Sequence, residues 1–64
     1  MNADCKGALK QINKSWKAFQ HNGKQMTKRQ VKAVLTYAVY VKGYEHTGQL
    51  SKKEVDEIIE RIKD

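Results

Sequence analysis

The chain has 64 residues, with 13 Lys and Arg against 7 Asp and Glu, for a formal net charge of +6. That length sets one domain, 1–64, near the lower limit for independent folding, where roughly 60% of the unfolded surface is buried and stability is a few kcal/mol. A single cysteine, Cys5, excludes an internal disulfide and points to a reducing compartment. No apolar run approaches the roughly 20 residues of a membrane span, and no signal-peptide core is visible, so the expectation is a soluble, cytoplasmic protein.

The charge is unevenly placed. Residues 1–44 carry nine Lys/Arg and the single acid Asp4, for +8, whereas residues 45–64 carry four Lys/Arg and six acids, for −2. A basic body followed by an acidic end bears on partners rather than on fold.

From about residue 3 to 20, Cys5, Leu9, Ile12, Trp16 and Phe19 are spaced four, three, four and three apart. That spacing is one face of an amphipathic helix. Gly7 weakens its first turn by about 1 kcal/mol relative to alanine. His21-Asn22-Gly23 is read as its end, with the glycine suited to a left-handed C-terminal position.

The next two elements begin with the same signature, 24 positions apart: Met26-Thr27-Lys-Arg-Gln30-Val31 and Leu50-Ser51-Lys-Lys-Glu54-Val55. In each, a hydroxyl at the N-cap is followed three residues later by Gln or Glu, so two backbone donors can be satisfied reciprocally. The apolar residue before the cap can staple onto the valine that follows the box. A second helix over 27–42 follows, stopped by Gly43. Its run Val31–Val41 is rich in β-branched and aromatic residues that would suit a strand, but length and capping box favour helix. The third helix covers 51–63, with Val55, Ile58, Ile59 and Ile62 on one face and Asp56, Glu57 and Glu60 on the other. The expected fold is all-α, a small three-helix bundle with short glycine-containing loops and the apolar second helix in the middle.

Three constellations bear on function. Lys6, Lys10, Lys14 and Lys17 fall within about 80° of one another on an ideal first helix, away from its apolar face. Lys28-Arg29 and Lys52-Lys53 place cations at helix starts, where the macrodipole disfavours them by some tenths of a kcal/mol. With the Thr27 hydroxyl, Lys28 and Arg29 form a candidate phosphate seat. Lys24 and Lys32 extend the same basic region. Tyr37, Tyr40 and Tyr44 recur three and four apart, as a second core face or as a candidate partner or homodimer surface.

Residues 43–54 resemble an EF-hand loop at Gly48, Leu50 and Glu54. Gly43 stands where the first ligating aspartate belongs, however, and Glu45 and Thr47 are poor substitutes at the next positions. The likeness is read as a glycine turn followed by a capping box. Neither His21 nor His46 has a Cys or carboxylate at metal-ligand spacing, and no phosphate loop or carboxylate pair appears. No cofactor, metal or catalytic residue is expected.

The resulting expectation is a small, basic, non-enzymatic binding module. Its first reading is a nucleic-acid-binding accessory protein that contacts phosphates through Lys6, Lys10, Lys14, Lys17, Lys24, Thr27, Lys28, Arg29 and Lys32. The alternative is a regulator or inhibitor docking on an acidic protein, or a homodimer through Tyr37, Tyr40 and Tyr44. A helix-turn-helix fits poorly, because the gap between the second and third helices exceeds three or four residues and the third helix is acidic.

Overall fold

The computed structural model describes residues 3–63 and is mostly helical (67%). In chain order come α1 (Cys5–Lys10), α2 (Ile12–Ser15) with a 3-10 turn at Trp16–Ala18, β1 (Gln20–His21), β2 (Lys24–Gln25) and α3 (Lys28–Thr36). A π-helical segment (Tyr37–Lys42) extends α3, and after a 3-10 turn at Thr47–Gln49 the chain ends in α4 (Lys52–Arg61).

The single helix expected over 3–20 is broken. Gln11 adopts φ −107° and ψ 32°, outside the α region, and separates α1 from α2. The bend is sharp: the Ser15 hydroxyl donates to the Ala8 carbonyl, seven residues back, at 2.7 Å. In an unbroken helix those residues lie about 10 Å apart along the axis. The 3-10 turn after α2 closes the helical run, and Phe19 is already extended.

The fold is mostly helical, as expected, but a short hairpin is added to it. Gln20 pairs with Gln25 and His21 with Lys24, across a two-residue turn of Asn22 (φ 55°) and Gly23 (φ 75°). Positive φ at both central positions is the type I′ geometry that matches strand twist, and Asn-Gly is its preferred sequence. The Gln25 amide donates to the carbonyls of Trp16 (3.3 Å), Phe19 (3.0 Å) and Met26 (3.1 Å). One side chain thus satisfies the end of the helical run and the exit of the hairpin.

Both capping boxes form as read. Thr27 Oγ1 accepts from the Gln30 amide at 3.1 Å, while Gln30 Oε1 accepts from the Thr27 amide at 2.9 Å. Ser51 and Glu54 repeat the exchange at 3.1 and 2.8 Å. Met26 and Val31, the stapling pair of the first box, are both buried in the core.

The buried core is Cys5, Met26, Val31, Val34, Leu35 and Ala38, so α3 and its π-helical extension supply most of it. Leu9, Ile12, Trp16 and Phe19 pack on it from one side, and Val55, Ile58 and Ile59 from the other. α3 therefore lies between the first helical pair and α4. Desolvation, and secondarily the charge of Asp4, push the Cys5 thiol up, away from its reactive form.

α-Helical spacing after Val34, Leu35 and Ala38 would put Val41 on the same buried face. The π winding adds one residue to each hydrogen-bonded turn and rotates it out. Val41 is 68% exposed and Tyr40 76%. Gly43, left-handed at φ 68°, ends the segment by donating to the Ala38 carbonyl.

Two further ties set the ends. Asp4 caps α1 through the Gly7 amide at 2.9 Å, and a Cβ on Gly7 would lie 2.8 Å from the same carboxylate oxygen. The glycine that weakens the helix in isolation is the residue that admits its cap. The segment before α1 pairs antiparallel with the loop before α4: Thr47 donates its amide to Ala3, and Cys5 donates to Glu45, both at 2.8 Å.

Candidate functional site

The basic candidates all stay at the surface. Lys6 and Lys10 lie on α1, Lys14 on α2, Lys17 in the 3-10 turn, Lys24 on β2, and Lys28, Arg29 and Lys32 on α3, each of them exposed. The bend at Gln11 divides the expected lysine stripe into two pairs on separate segments. Lys17 places its ammonium 6.0 Å from the centroid of the Trp16 ring, a cation–π distance. Lys6, Lys10, Lys14, Lys24, Lys28 and Lys32 have no carboxylate within 4.0 Å among the described residues. Thr27 is exposed, and its hydroxyl serves as the α3 cap.

Two of the acids of α4 are engaged within the fold. Glu54 accepts from the Ser51 amide, from the Tyr44 hydroxyl at 2.9 Å and from the Tyr37 hydroxyl at 3.4 Å. The Ser51 amide above all, then the Tyr44 hydroxyl and the charge of Lys42, hold its carboxyl below the usual range against partial desolvation. The same contact pushes the Tyr44 phenol up, since ionising it would lose the hydrogen bond and set a phenolate beside a carboxylate. Asp56 is engaged as well. His21 Nε2 lies 2.5 Å from its Oδ1, and that hydrogen bond is the main reason its carboxyl is held down. The contact joins residues 35 positions apart in sequence.

The tyrosine stripe separates into two kinds of residue. Tyr37 and Tyr44 are half-buried and converge on Glu54, so they tie the end of the central helical run to α4. Tyr40 points the other way and is largely exposed, with no hydrogen bond among the described residues. The three do not form one face. Nothing in the sequence separates them, because the contrast depends on the π winding and on where Glu54 arrives.

Glu54 also accounts for the EF-hand likeness. It stands at the twelfth loop position, yet its two oxygens are taken by a helix cap and two phenols. Among the described residues no group of three or more His, Cys, Asp or Glu could hold a metal ion. A cleft of about 190 Å³ opens between the hairpin and the start of α4, lined by Phe19, His21, Met26, Leu50, Lys52 and Val55 among others. No described helix is long and apolar enough to cross a membrane.

No known protein family, curated protein or solved structure matches the chain.

Proposed function

We propose that this is a small, basic, non-enzymatic binding module of the cytoplasm that contacts the phosphates of nucleic acid. One observation carries the reading. Six lysines on α1, α2, β2 and α3 are exposed without a carboxylate partner among the described residues, while Glu54 and Asp56 of α4 are occupied within the fold. Uncompensated like charge on a small domain costs self-repulsion, and a polyanion that releases condensed counterions relieves it. Lys6, Lys10, Lys14, Lys17, Lys24, Lys28 and Lys32 contact phosphates in this reading. Arg29 and the Thr27-capped start of α3 add a positive helix end. None of these contacts reads sequence, so binding is salt-dependent and only weakly sequence-specific.

The test is anisotropy of labelled DNA and RNA, titrated with the protein at low and near-physiological salt. Affinity that falls steeply with salt and drops further on changing Lys10, Lys14 and Lys17 to Gln supports the reading. Absence of binding at low salt refutes it.

A second reading rests on the exposed pair Tyr40 and Val41. An aromatic and a β-branched side chain held out together form a small anchor for a protein partner, an acidic one given the surrounding charge, or for a second copy of the chain. Sedimentation of the protein alone, and again after Val41→Ser, separates self-association from a monomer.

A further inference from the structure

We infer that Tyr40 belongs functionally with the cations of α3, and that together they bind single-stranded nucleic acid, phosphates on Lys28 and Lys32 and a base stacked on the Tyr40 ring. This rests on the nucleic-acid reading above and narrows it to one form of the ligand.

Lys28, Lys32, Thr36 and Tyr40 follow one another at intervals of four and are all exposed. Over α3, from Lys28 to Thr36, that spacing is a continuous ridge about 12 Å long at 1.5 Å per residue, and Tyr40 follows in the π-wound extension. Between residues 24 and 44 the chain has no Asp or Glu, so the ridge bears no acid of its own. It matches a polyanion in charge along its first half and offers a flat aromatic at its far end.

The other aromatic side chains have employment elsewhere. Trp16 and Phe19 pack against the core, and Tyr37 and Tyr44 donate to Glu54. Tyr40 is 76% exposed, and its hydroxyl has no partner among the described residues. The π winding is the second, independent observation. It turns Val41 out beside the already exposed Tyr40, at the expense of apolar burial that ordinary α winding would have given Val41. Such segments recur at functional sites.

The ring specifies a single strand. An unpaired base has a free π face to lay on tyrosine, whereas the bases of a duplex already stack on one another. Phosphate contacts alone would serve either form equally. DNA and RNA share this chemistry, and oligomers of both distinguish the sources.

The experiment measures anisotropy of labelled oligothymidine, oligouridine and a duplex of equal length, with the wild-type chain, Tyr40→Ala, Tyr40→Phe and Lys28→Gln/Lys32→Gln. Far-UV circular dichroism checks that each variant is folded. Tyr40→Ala is expected to weaken single-strand binding roughly five- to a hundredfold, to leave the duplex unchanged, and to be rescued by Tyr40→Phe. The double lysine variant is expected to weaken both forms and flatten the salt dependence. Single-strand binding that survives Tyr40→Ala unchanged overturns this inference alone, and so does an equal loss on the duplex. A wild-type chain that binds no oligomer at low salt overturns it together with the reading on which it rests.

Discussion

Gly23→Ala tests the hairpin, the element that most changes the expected fold. Gly23 sits at φ 75°, where an added Cβ would meet no atom within 4 Å. Substitution therefore costs no packing, and the penalty is the backbone one of a left-handed L-residue, about 1–2 kcal/mol. For a domain of 60–100 residues each kcal/mol moves the melting temperature by roughly 4–8 °C, so a fall of about 4–16 °C is expected. The control is Gly48→Ala. Both glycines follow a His-x pair in the sequence, but Gly48 is the exposed middle residue of a right-handed 3-10 turn, and its replacement should stay within about 0.5 kcal/mol of wild type. Thermal melts by circular dichroism at one pH and salt compare the three proteins. Equal shifts in Gly23→Ala and Gly48→Ala would refute the type I′ turn and restore a plain helix end at His21–Gly23.

Three other outcomes follow from the same structure. Gly7→Ala should give no stability in the wild-type background, because its Cβ displaces the Asp4 cap, but about 1 kcal/mol once Asp4 is already Ala; additive melts would break the coupling. Leu35→Ala, at a fully buried site, should cost about 2–5 kcal/mol out of the roughly 3–10 expected for a chain this size, so urea unfolding should show a midpoint near zero or a sharply lowered one. Glu54 and Asp56 both have folded values below their ordinary ones, so their contributions are complete above about pH 5 and vanish as pH falls through those lower values. Melting temperature should therefore drop on acidification below that point, less steeply in Asp56→Asn; parallel profiles would mean that the His21 contact carries no stability.

What was legible in the sequence is what is written within three or four residues. The boxes Thr27–Gln30 and Ser51–Glu54 close on themselves, so their hydroxyl and amide partners could be named from spacing alone, and the helix starts they mark are in place. The first helix failed for a physical reason. Its apolar period of four and three persists through Trp16 and Phe19, but the chain keeps that period while bending at Gln11, because the Ser15–Ala8 hydrogen bond and the core compensate the broken ladder. Periodicity reports which side chains face the core, not whether the axis between them is straight. The hairpin is legible too: Asn22-Gly23 is the standard two-residue hairpin sequence, although a helical run leading into it gives the same residues the look of a helix end.

The site divides along the same line. The lysines could be placed at the surface from sequence, since charge and period both put them there. Which acids of α4 are engaged within the fold could not, because those contacts span 17 positions from Tyr37 to Glu54 and 35 from His21 to Asp56. Tyr37 and Tyr40 are only three residues apart, yet one donates to a carboxylate and the other stands in solvent. A helix of fixed pitch would have kept them closer to one face; the π turns between Tyr37 and Lys42 are what set them apart. Tyr40 stands four residues after exposed Thr36, so its exposure follows from spacing; the departure from the regular helix shows at its neighbour. Val41, apolar and exposed beside it, shows that the departure is bought with burial the core could have used.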